Sequence, residues 1–150
     1  MANSAKPTKK PAANNAYVME EQVGHLLRRA HQRHCSIFAE SVETKLTPMQ
    51  FAALAMIQQC GSVSQNQLGR LVAMDPATIQ GVVGRLSERG LVSSKNDPDD
   101  RRRQLWRLTA SGKRSLAKLI PVAMQITADT LAPLTAKERA TFLRLLEKLA

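Results

Sequence analysis

LGRLVAMDPATIQGVVGRLSERGLVSSKNDPDDRRRQLWRLTASG, residues 68–112, changes its periodicity at Gly90. Before that glycine, Ile79, Val82, Val83 and Leu86 recur on one helical face. They follow Asp75-Pro76, an N-cap with proline at the first helical position, where its missing N–H leaves no bond unmade. Gly90 terminates the helix. Beyond it, Leu91–Lys95 and Gln104–Leu108 read as two short strands flanking a turn, Asn96-Asp97-Pro98-Asp99-Asp100, with a charged tip. Upstream, Ser64 and Gln67 have capping-box spacing and open a short helix carrying Leu68, Leu71 and Val72. Thr47-Pro48-Met49-Gln50 starts an earlier helix with Phe51, Leu54, Ala55 and Ile57, closed by Gly61.

The flanks are helical. From Tyr17 to about Ser41, Val23, Leu27, Ala30, Ile37 and Phe38 fall near helical spacing. Downstream, Thr109 caps a long helix through about Leu131, in which Pro121 is expected to produce a kink; Pro133 closes it. Thr135 and Glu138 then box the last helix, striped by Phe142, Leu145, Leu146 and Leu149. The expectation is a mainly α chain of six helices, with one β-hairpin between the fourth and fifth. Residues 1–16, with Pro7, Pro11 and three lysines, read as a flexible basic tail. Residues 17–150 form one domain, consistent with a length of 150 residues.

Composition narrows the function. Apolar residues make up 43% and charged residues 23%, a globular balance, while aromatics at 3% are too few for a base-stacking surface. No apolar run approaches the roughly 18 residues of a membrane span, and MANSAKPTKKP has no apolar export segment, so a soluble cytoplasmic protein is expected. The net charge is +10 and the pI about 10.3, which favours nucleic acid first and an anionic membrane surface second. Residues 70–114 hold ten basic side chains against five acidic ones, so the excess lies within folded sequence. Cys35 and Cys60 are too few for a disulfide framework. Enzyme readings fail on inventory: there is no Gly-rich phosphate loop, no nucleophile elbow and no acidic pair in an apolar setting.

A short helix, a turn, a second helix and a basic two-stranded wing make a winged helix–turn–helix, whose second helix enters the major groove. With Ile79, Val82, Val83 and Leu86 inward, the outward residues are Ala77, Gln80, Gly81, Gly84, Arg85 and Glu88. A glycine in a helix costs roughly 1 kcal/mol relative to Ala. Gly81 and Gly84 therefore need a reason, either close approach to DNA or close packing against a neighbouring element. Gln80 is suited to adenine and Arg85 to guanine or phosphate. Thr78 shares that helix, and Ser64 and Gln65 stand at a helix N-terminus suited to phosphate.

The stretch quoted above resembles the MarR family of bacterial transcription regulators, most specifically in DPDDRR at 97–102 followed by Leu108-Thr109 and Gly112. From about Tyr17 onward the chain fits. The resemblance implies a homodimer on a pseudo-palindromic operator, with 47–109 as the DNA-binding lobe and 17–41 and 110–150 as dimerisation helices. It also implies a small effector, commonly an aromatic acid, lodged between the dimer helices and that lobe, and no other cofactor. By the same carry-over, Arg102 is the wing arginine with Asp100 as its orienting partner, and Arg101 and Arg103 are weaker candidates beside it. Independently, the apolar stripes on the outer helices exceed one small lobe's needs and ask for a partner chain.

The first predicted helix concentrates His25, Arg28, Arg29, His31, Arg33, His34 and Cys35. His34 shares a face with Leu27, Ala30, Ile37 and Phe38, which suits a hydrogen-bonding group in an apolar pocket; a satisfied core histidine or a dimer contact is the plainer reading. LLRRAHQRHCSIF is most similar to family members responding to aromatic carboxylates or their CoA thioesters. Candidate ligand residues are therefore Arg28, Arg29, His31, Arg33, His34 and Phe38, the arginines serving a carboxylate or a CoA phosphate. Two other sensors stay open: a metal at His31, His34 and Cys35, and oxidant chemistry at Cys35. A ligand-independent architectural DNA-binding protein is the alternative.

Overall fold

The structure is a computed structural model that describes residues 17–150, so the expected tail at 1–16 lies outside the described residues. A 3-10 turn at Met19–Glu21 leads into α1 (Val23–Ser41), followed by α2 (Pro48–Cys60), β1 (Val63–Ser64), α3 (Gln65–Leu71) and α4 (Pro76–Glu88). Then come β2 (Val92–Asn96), β3 (Gln104–Leu108), α5 (Ala110–Thr130) and α6 (Ala136–Glu147). Among the described residues, the six α-helices and the hairpin after the fourth stand as expected. The long helix predicted from Tyr17 begins only at Val23, because extended Gln22 separates it from the 3-10 turn.

The caps explain the helix starts. Thr47 and Gln50 bond reciprocally across the first turn of α2, and Thr135 and Glu138 do the same for α6. Asp75 caps α4 and Thr109 caps α5 through side-chain oxygens. The sheet holds one strand more than the sequence predicts. β1 pairs antiparallel with β3 (Val63 opposite Trp106), giving the order β1-β3-β2. Two residues carry no periodicity of their own; their strand character comes from the partner.

The core lies between α2, α3, α4, the sheet and the first half of α5. Leu54, Ile57, Leu68, Ile79, Leu86 and Leu116 are fully buried there, with Val63, Val82 and Val83. Phe38 corrects an expectation: proposed for ligand, it is 3% exposed and its ring meets Phe51 at 6.0 Å, so it anchors α1 to the core. Leu71, read as apolar-face, is exposed. α5 is fastened to the end of α4 at one point. Thr109 donates its hydroxyl to the Gly90 carbonyl (2.6 Å) and its N–H to that of Leu91 (3.1 Å), and a Cβ at Gly112 would collide with the Leu91 carbonyl. α6 buries no residue within the single chain.

Candidate nucleic-acid interface and apolar groove

On α4, Asp75 accepts the Thr78 N–H at 2.9 Å and the Thr78 hydroxyl at 2.6 Å, and the hydroxyl bond is the main reason its carboxyl titrates below the usual range. The Thr78 proton is therefore committed inside the protein, leaving its oxygen as an acceptor. Gln80 and Arg85 are exposed, as is Ala77. A Cβ at Gly84 would meet nothing within 4 Å, and one at Gly81 only the Arg85 guanidinium, at 3.5 Å. Close packing within the chain thus does not account for either glycine.

The wing stands beside the start of α3. Ser64, Gln65, Asn66, Arg102, Arg103, Gln104 and Trp106 line one concavity of about 330 Å³. This joins the expected phosphate-binding residues to two of the wing arginines and adds Asn66, Gln104 and Trp106, which sequence reasoning missed; Asn66 was readable as the next residue of the same first turn. Arg101 and Arg102 are exposed at the tip. Asp100 serves Arg102 through the backbone, accepting its N–H at 3.0 Å. Arg103 pairs instead with Asp97 at 2.9 Å.

The His34 region is an apolar groove of about 310 Å³, walled by α1 (Leu27, Ala30, His31, His34), the end of α5 (Thr127, Thr130, Leu131) and α6 (Phe142, Leu143, Leu146). Half-buried His34 bonds through Nδ1 to Thr130 Oγ1 at 3.0 Å, and Thr130 gives its own proton to the Ile126 carbonyl at 2.7 Å. Nδ1 must therefore carry a proton, and neutral His34 keeps Nε2 as a free acceptor. Burial, and then the nearby His31, push its pKa below 6.5. Arg33 turns to the Asp129 carbonyl at 3.0 Å, complementing the C-terminal end of α5. Arg28 and Arg29 are exposed and outside the groove wall. His31 Nε2 lies 3.4 Å from Cys35 Sγ, and no group of three metal-ligating side chains occurs among the described residues. A second, more polar concavity of about 490 Å³ lies where the lobe meets α5, lined by Cys60, Ser62, Arg107 and Lys113 among others.

The MarR family model matches residues 46–103. Over 150 residues the chain is 42% identical to the HTH-type transcriptional repressor NicR of Pseudomonas putida, covering 99% of this chain and 95% of NicR. The chain belongs to the MarR family. Among solved structures it is similar to a probable transcriptional regulator from Pseudomonas aeruginosa (44% identical, TM-score 0.86, 89% of this chain and 100% of that one). It is also similar to BpsR of Bordetella bronchiseptica, whose DNA binding is regulated by 6-hydroxynicotinic acid (41%, TM-score 0.85, 89% and 96%). MarR-family regulators bind operator DNA as dimers and respond to small molecules. In this MarR-family chain the wing tip exposes Arg101, Arg102 and Arg103, and the outward face of α4 exposes Arg85. The His34 groove belongs to α1, α5 and α6 alone, whereas the resemblance implied a pocket at the junction with the lobe. Among the described residues, no helix is long and apolar enough to cross a membrane.

Proposed function

We propose that this MarR-family protein is a dimeric repressor, acting in the cytoplasm, that leaves its operator when a hydroxylated aromatic carboxylic acid occupies the His34 groove. The observation that carries the reading is a half-buried imidazole with a free Nε2 inside a largely apolar groove. A flat ring fits such walls, and a few fixed polar atoms set its orientation. Neutral His34 can accept a ring O–H; protonated, it can donate to a carboxylate. 6-Hydroxynicotinic acid, which regulates BpsR, has both groups and is the first compound to test. Because Arg28 and Arg29 stand outside the wall, the free acid is preferred to a CoA thioester.

Operator reading is assigned to Ala77, Thr78, Gln80, Gly81 and Arg85 on α4, to Ser64 and Gln65 at the start of α3 as phosphate holders, and to Arg101, Arg102 and Arg103 on the wing. α5 supplies the link between the two regions. Its 21 residues, about 30 Å of helix, run from the Gly90–Leu91 clasp to the groove wall. A ligand that favours one tilt of α5 biases the position of α4 and the wing. It releases DNA only if it binds the DNA-incompetent arrangement better.

The test is fluorescence anisotropy on an operator found by selection from random duplexes, with free aromatic acids, their CoA thioesters, zinc and peroxide added in turn. Release by free acids, lost in His34→Phe, is the expected result. Release by thioesters alone would give Arg28 and Arg29 a role; zinc or peroxide alone would move the sensor to His31 and Cys35. Release that survives His34→Phe would shift attention to the Arg107–Lys113 concavity. No response at all would favour a ligand-independent architectural protein.

A further inference from the structure

Asp97 is the one acidic side chain of the described residues that is buried, at 5% exposure, and it lies at the root of a wing otherwise rich in exposed arginine. A carboxylate in such a place requires partners. One oxygen, Oδ1, accepts the Asp99 N–H at 3.0 Å; the other, Oδ2, takes the Arg103 guanidinium at 2.9 Å. The backbone closes the same loop, with the Asp97 N–H on the Arg103 carbonyl (2.8 Å) and the Arg103 N–H on the Asp100 carbonyl (2.9 Å). Residues 97 and 103 are thus tied twice, side chain to side chain and backbone to backbone, across the base of the tip that carries Arg101 and Arg102. Arg103 also faces the concavity beside Ser64 and Gln65.

We propose that Asp97 is a positioning residue for operator binding: through Arg103 it holds the wing tip in the shape that delivers Arg102 to DNA. This rests on the wing reading given above. Its consequence has a sign opposite to that of simple electrostatics. Removing a carboxylate from a DNA-facing surface, and freeing an arginine, should tighten binding to any duplex through the phosphates. If Asp97 acts by position, Asp97→Asn instead weakens operator binding. The substitution is selective, because an asparagine oxygen can still accept the Asp99 N–H while its amide group cannot accept from the Arg103 guanidinium.

The experiment uses the full-length dimer, with Asp97→Asn and Arg103→Gln compared to the parent. Hydrogen exchange over 97–103 is followed without DNA, and anisotropy is measured on operator and random duplexes across a salt series. Expected are faster exchange in both variants and about tenfold weaker operator binding, with random-duplex binding of Asp97→Asn unchanged or tighter. Combining the two substitutions should cost little more than either alone. Unchanged exchange with tighter binding of Asp97→Asn to both duplexes would overturn the proposal. So would an Arg103→Gln loss equal on both duplexes, with unchanged exchange, which marks a simple phosphate contact. Should Asp97→Asn fail to fold, Arg103→Gln decides, since Arg103 is exposed. A parent that selects no operator would refute the proposed function, whereas the exchange data would still report whether the Asp97–Arg103 tie shapes the tip.

Discussion

Gly81 and Gly84 sit on the outward face of α4 with open space where their side chains would be, apart from the Arg85 guanidinium beside position 81. Alanine at each should raise stability by about 1 kcal/mol, since nothing in the chain resists the added methyl. Operator affinity should fall in the same variants if the helix backbone approaches DNA there; a thermal melt and an anisotropy titration read the two effects separately. His34 supplies a pH prediction. Its folded pKa lies below 6.5, so the unfolded chain binds the proton first as the solution is acidified. Stability should therefore fall as pH drops through 6.5 and stop falling on this account below the folded pKa. His34→Gln should lose that component of the profile, measured by melting temperature between about pH 8 and about pH 5. Arg102, exposed at the tip with its guanidinium unneeded by Asp100, should cost about 1–3 kcal/mol of operator binding when replaced by Ala. Equal binding by parent and variant across a salt series would return it to the ordinary solvated charges.

Among the elements, α5 does most to connect the lobe to the groove, and its first turn has little latitude. Gly112→Ala would drive a methyl into the Leu91 carbonyl, forcing α5 away from the end of α4. A loss of about 1–3 kcal/mol in denaturant unfolding is expected, with a weaker operator complex because the wing hangs on the same junction. The helices after α1 were legible because each is signed at its start: Thr47, Ser64, Asp75, Thr109 and Thr135 all cap, although Gln67 does not return the second bond of the capping box that its spacing from Ser64 predicts. β1 was not legible, because two residues become a strand only when β3 lies alongside.

At the scale of the molecule, α6 is the informative part. It buries nothing within one chain, and Phe142, Leu143, Leu145 and the following Leu149 stay exposed, with Val23, Leu26 and Leu27 of α1. That much apolar surface calls for a second copy, in keeping with dimeric MarR-family binding to DNA. Leu145→Glu, outside the His34 groove, should yield monomers by light scattering and bind operator poorly; a parent that is monomeric at micromolar concentration would refute the dimer. Phe142 and Leu143 wall the groove as well, so dimer contact and ligand binding draw on the same residues.

The amino-acid sequence by itself determined the helices, the hairpin, the inward face of α4 and the basic wing, because caps, periodicity and turn residues act within a few positions of one another. It brought Ser64, Gln65 and the wing arginines into one hypothesis through a family pattern. Only the tertiary structure decided that Phe38 is core, that Arg103 is spoken for by a buried Asp97, and that His34 looks into a groove of α1, α5 and α6. Those facts depend on which segments the folded chain brings together, near or far in sequence. Phe38 meets Phe51, Arg103 meets Asp97 across the turn, and His34 meets Thr130, a residue 96 positions away. Local spacing says which way a side chain faces on its own helix; what it faces is set by the packing of the others.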